Sequence, residues 1–162
     1  MSVSARKLPL SLGKVWCVGG KRGYGSVMNY TDAYRALGYT LGAPRLDWSA
    51  EKRGGVCLTV WDHELQSGDG EMSLDTKRDC EPLEVWQSKA SNTKRILHIK
   101  TALKSYKGRV DVVIAREAVK VPEPRPQTAQ PWLKEGAREG TYWQITDFEP
   151  ETGHFVLTME KG

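Results

Sequence analysis

The sequence has 162 residues, 39% hydrophobic and 27% charged, with 24 basic against 20 acidic side chains for a net charge of +4. That is enough apolar material for a packed domain and excludes a disordered chain, and no apolar run approaches the roughly 20 residues needed to cross a bilayer. The basic start lacks a compact apolar stretch with a cleavage site, and Cys17, Cys57 and Cys80 form no CxxC pair and no even set. A reducing, cytoplasmic setting away from membranes is expected.

In chain order, residues 1–28 read as a basic arm with a short strand at 14–18 and a glycine-rich loop at 19–25. That loop, GGKRGYG, carries Lys21 and Arg22 but lacks the Walker spacing, because no GK[ST] follows. Residues 29–162 read as one domain. The stretch 29–41 predicts a helix, with Asn29 or Thr31 as cap and Tyr30, Ala33, Tyr34, Leu37 and Leu41 at helical spacing. The segment 55–62, GVCLTVWD, is the strongest strand signal: β-branched, aromatic and uncharged until Asp62. A glycine-containing acidic turn at 68–70 follows, and the alternation of LEVWQ predicts a strand at 83–87. Residues 93–106 predict a second helix started by Ser91 or Asn92 and ended by Gly108. Ile96, Ile99, Leu103 and Tyr106 should line its buried face, widened by Leu97 and Ala102, with Lys94, Arg95, Lys100, Lys104 and Lys107 largely off it. A buried strand is expected at 109–116 and a surface connector at the proline-rich 121–131. A hairpin at 142–159 turning at PETG closes the chain. The expected fold is α+β, a curved mixed sheet or small open barrel with two main helices.

The charges are segregated. Residues 1–28 hold five cations and no acid, and residues 89–109 hold seven and no acid, while residues 62–84 hold eight acids. Two basic segments meeting on one face would attract a polyanion by counterion release. Lys94, Arg95, Lys100 and Lys104, with Lys21 and Arg22, are the candidate phosphate contacts. Tryptophan and tyrosine, six each, outnumber the two phenylalanines. Most of these rings belong in a core, but Trp48 and Trp86 adjoin polar residues and are the candidates to stack on a base. Asp62-His63-Glu64 is a compact acid–histidine cluster at a strand end, and Asp62 and Glu64 are the candidate centre for metal-assisted phosphodiester hydrolysis. No serine-nucleophile elbow or dinucleotide fingerprint is present.

The segments NYTDAY at 29–34, GVCLTVWDHE at 55–64 and NTKRI at 92–96 resemble a group of uncharacterised small bacterial proteins over most of residues 30–160. By these short motifs the chain is also similar to modified-DNA reader domains. These are PUA-like folds related to the SRA domain and the N-terminal domains of certain HNH endonucleases. The resemblance implies a PUA-like barrel and marks Trp48, Trp61, Asp62, Asn92, Lys94 and Arg95. The characteristic SRA glycine-rich pocket motifs are absent.

The leading expectation is a non-enzymatic nucleic-acid-binding module without cofactor, with DNA favoured, reading modified bases in a bacterial defence or mobile-element setting. One alternative is a nuclease using a divalent metal at Asp62 and Glu64. The other is a protein-interaction or inhibitor module presenting the acidic 62–84 segment.

Overall fold

The computed structural model describes residues 28–43, 47–68, 71–117 and 126–162. Lys21, Arg22, the 14–18 strand and the glycine-rich loop lie outside the described residues.

At the centre are two parallel strands. β3 (Gly55–Trp61) is buried from Gly55 to Val60, as a strand covered on both faces must be. It pairs in parallel with β6 (Arg109–Glu117), Cys57 to Trp61 lying against Asp111 to Ala115. On its other edge β3 forms an antiparallel hairpin with β2 (Ser49–Lys52), turning at Gly54, whose φ is +94°. Such a conformation favours glycine.

Alternate residues of β3 and β6 serve two cores. Val56, Leu58, Val60, Val110, Val112 and Ile114 pack with Trp143, Phe155 and Leu157, and with Ile99 and Ala102 of α3 (Ala90–Ser105). Cys57, Val113 and Ala115 face the other way, against Tyr30, Ala33 and Tyr34 of α1 (Tyr30–Ala36). Asn29 caps α1 by accepting the Asp32 N–H at 2.8 Å. Inside this second core the Tyr30 and Tyr34 hydroxyls both meet Thr59 Oγ1 at 2.6 Å, which satisfies three buried polar groups at once.

Around the pair, β6 also contacts β7 (Pro126–Pro131) and β8 (Thr141–Glu149). β8 continues to β9 (His154–Lys161), β5 (Glu71–Asp75) and β4 (Gln66–Gly68), while β7 leads to β1 (Met28–Asn29). The described residues thus form one mixed nine-stranded sheet branching at β6, whose terminal strands β1 and β4 do not pair with each other.

This corrects the expected curved sheet or PUA-like barrel: the sheet is open. It also corrects the helix count, since three α-helices are present among the described residues. The third, α2 (Leu83–Trp86), replaces the strand expected at 83–87. Pro82 precedes it, and the Trp86 indole N–H folds back onto the Glu81 carbonyl at 2.9 Å. Five alternating residues are too few to separate a period of two from one helical turn. The proline-rich stretch is not a surface connector over its last six residues. Pro126 and Pro131 bracket β7, where a missing N–H is tolerated, and Ala129 and Gln130 are buried. None of the described helices is long and apolar enough to cross a membrane.

Candidate functional site

The basic helix α3 is where the sequence placed most of the chemistry. Its buried residues are Asn92, Arg95, Ile99 and Ala102, spaced by three, four and three. The expected face through Ile96, Ile99 and Leu103 is therefore rotated. Leu97 is 59% exposed and Leu103 41%, while Arg95 points inward.

Arg95 is enclosed by aromatic rings. Its guanidinium carbon lies 4.7 Å from the centre of the Trp48 ring, 5.0 Å from Phe155 and 5.4 Å from Trp86. These are cation–π distances. One Nη donates to Asn92 Oδ1 at 3.3 Å, and Nε has no hydrogen-bond partner among the described residues. Desolvation pulls the guanidinium down to about 10, opposed by nearby Cys80 and Glu64, so the group is still charged at neutral pH. Asn92 is fixed in turn, its amide donating to the Gln87 and Thr152 carbonyls at 2.9 Å. Gly153 is required beside it: φ is +92°, and a Cβ there would collide with the Asn92 amide.

The next polar groups are also engaged. Lys94 Nζ is 2.9 Å from Asp47 Oδ1, and Asp47 is only 4% exposed, its second oxygen accepting the Ala43 N–H. His98 Nδ1 is 2.6 Å from Ser49 Oγ, and burial pushes this imidazole below its ordinary value. The pair resembles a nucleophile and base, but Ser49 is 1% exposed and its hydroxyl is sealed from any substrate.

From Lys100 onward the helix differs. Lys100, Lys104 and Lys107 are exposed, and none has an ion-pair partner among the described residues. Lys107 adopts φ 58°, and Gly108 follows at φ 77°, which reverses the chain into β6. Gln144 Nε2 secures this turn by donating to the Lys107 carbonyl at 2.8 Å.

Beside the turn lies an open groove of about 410 Å³, lined by Gly54, Gly55, Tyr106, Lys107, Arg109, Asp111 and Lys134 among others. Tyr106 is tied to the opposite wall, its hydroxyl accepting the Gly54 N–H at 3.1 Å. Arg109 stacks on Tyr142, 4.1 Å from the ring centre. Asp111 Oδ2 accepts the Tyr39 hydroxyl at 2.7 Å. Gly55 makes this bond possible, because a Cβ at that position would occupy the place of the Tyr39 oxygen.

The structure thus gathers Arg95, Trp48 and Trp86 into one cluster, engages Lys94 with Asp47, and leaves Lys100 and Lys104 on the surface. Trp48 is half-buried and Trp86 buried, each with a face toward Arg95 rather than toward solvent alone. Asp62 and Glu64 sit on a 3-10 turn at Asp62–Glu64, and no group of three or more His, Cys, Asp or Glu among the described residues is placed to hold a metal ion. Part of the acidic segment binds itself: Asp75 accepts the Lys77 and Arg78 N–H groups, and Asp79 pairs with Arg78. The groove residues Asp111 and Lys134, and Tyr39 that holds Asp111, had no signal in the sequence, since they come from separate parts of the chain. Lys107 and Arg109 were visible only as charge flanking a helix-ending glycine.

Comparison with protein-family models, with curated proteins and with solved structures found no match for this chain.

Proposed function

We propose that the chain binds nucleic acid through the C-terminal half of α3 and the adjoining groove. One observation carries this reading: Lys100, Lys104, Lys107, Arg109 and Lys134 are contributed by neighbouring elements, and among the described residues no carboxylate forms an ion pair with any of them. Cations without partners release the counterions of a phosphate backbone when they bind it, whereas cations already paired gain little. The ligand contacts therefore shift along the helix relative to the sequence expectation, away from Lys94 and Arg95 and toward its far end.

The test is fluorescence anisotropy with labelled duplex and single-stranded oligonucleotides across a salt series. Binding should weaken steeply as salt rises. Reversing Lys104, Lys107 and Lys134 to Glu should abolish it. Lys89→Glu, about 24 Å away at the start of this 16-residue helix, should change it little. Salt-independent binding, or equal loss from both variants, would overturn the assignment.

A further inference from the structure

We propose that the groove at the starts of β3 and β6 holds one guanine nucleotide, with the base against Asp111 and the phosphate on Lys107 and Lys134. This deepens the nucleic-acid reading and rests on it for the source of the ligand. The volume, about 410 Å³, falls within the roughly 300–1,000 Å³ of small-ligand sites.

Among the described residues the lining is chemically asymmetric, with Lys107, Arg109 and Lys134 against the one carboxylate of Asp111. That carboxylate is held in place. Oδ2 accepts the Tyr39 hydroxyl, and Tyr39 is itself pinned beneath Lys52, whose Nζ lies 4.6 Å from the ring centre and donates to the Leu37 carbonyl. Oδ1 has no hydrogen-bond partner among the described residues, and Asp111 is half-buried on the groove wall. An ionised carboxylate only accepts hydrogen bonds. The guanine edge offers an imino and an amino donor side by side. Adenine and cytosine set an acceptor next to their amino group, and uracil and thymine flank one imino donor with carbonyls. Guanine is therefore the base whose edge meets a carboxylate without facing acceptor to acceptor.

Lys107 supplies a second, independent sign of a ligand. A lysine at φ 58° is costlier than a glycine or asparagine, and this residue is exposed and lines the groove. Strain kept at such a position is expected where the side chain has a use.

The experiment measures binding of GMP, IMP, AMP, CMP and inorganic phosphate to the full chain by calorimetry. It is paired with oligonucleotides ending in a guanine or an adenine nucleotide. GMP should bind at least ten-fold more tightly than AMP, CMP or phosphate, with IMP, which lacks the amino group, between them. Asp111→Asn keeps an acceptor for Tyr39 and should erase the guanine preference without unfolding the chain. Lys107→Gly should weaken every nucleotide alike. A preference seen only with guanine-ended oligonucleotides supports the site and assigns a strand terminus as its source. Equal binding of all nucleotides, or a guanine preference that survives Asp111→Asn, overturns the proposal. Salt-dependent oligonucleotide binding with no nucleotide binding and no terminal preference overturns it while leaving the nucleic-acid reading intact.

Discussion

The two halves of α3 carry similar residues to opposite ends. In the first half Asn92, Lys94, Arg95 and His98 each have a partner from another part of the chain: the Thr152 carbonyl, Asp47, an aromatic cage and Ser49. In the second half Lys100 and Lys104 meet no counter-charge among the described residues, and the chain reverses at Lys107 beside an open groove. The first half uses its polar groups to tie the helix to the rest of the chain; the second leaves its lysines exposed to solvent. Formal charge along a helix thus says little about which charges are available, because availability depends on what lies opposite each side chain.

The sharpest way to break this contrast is Arg95→Ala. It empties the space between three rings, Trp48, Trp86 and Phe155, and should cost about 3–5 kcal/mol in urea unfolding. Arg95→Met fills the same volume without a charge to desolvate and should fall within about 1.5 kcal/mol of the parent. If the alanine variant loses under about 1 kcal/mol, the cage is not structural.

Asp47→Ala should come next, at about 2 kcal/mol, because it leaves the Ala43 N–H without its acceptor and Lys94 without its partner. Lys94 is 43% exposed, so the ion pair itself is the smaller share.

Lys107→Gly separates stability from binding. Relief of the left-handed conformation should raise stability by about 1 kcal/mol while oligonucleotide affinity falls. A variant that gains stability and keeps full affinity would remove Lys107 from the ligand surface.

His98 gives a pH signature. Burial lowers its folded pKa below the ordinary 6.5, so the unfolded chain binds this proton more readily. Its contribution is complete above the unfolded value and is lost as pH falls through that value toward the folded one. His98→Gln should flatten the stability slope between about pH 7 and 5. An unchanged slope would show that the imidazole titrates freely.

The smallest stability effect should come from Lys100→Ala with Lys104→Ala, within about 0.5 kcal/mol, since neither side chain has a partner to lose among the described residues. The same variant should reduce the salt dependence of oligonucleotide binding. A large stability loss would mean that the two halves of the helix are less different than their contacts indicate.

Local sequence pattern made some elements legible. The uncharged, β-branched run of β3, the Asn29 cap of α1 and the alternating arms of β8 and β9 each carry their signal within a few residues. Other elements had weak or misleading local signals. β7 is bounded by prolines and holds its place by pairing with β1 and β6, and α2 is a single turn fixed by the Trp86 indole. The buried face of α3 was misread because Arg95 is polar and Leu97 is apolar. The aromatic cage reverses what their hydropathies predict, since a guanidinium can lie against ring faces and a lone exposed leucine costs little.

What the sequence alone determined is the set of strong local elements and the presence of an acid-free basic stretch over 89–109, because periodicity, capping and charge are properties of neighbouring residues. Tertiary structure decided that the sheet stays open, that Arg95 is enclosed, and that Tyr106, Asp111 and Lys134 converge on one groove, with Tyr39 behind Asp111. The reason is distance along the chain. Tyr39 and Asp111 are separated by 72 residues and meet only because Gly55, in a third element, leaves room for the tyrosine oxygen between them.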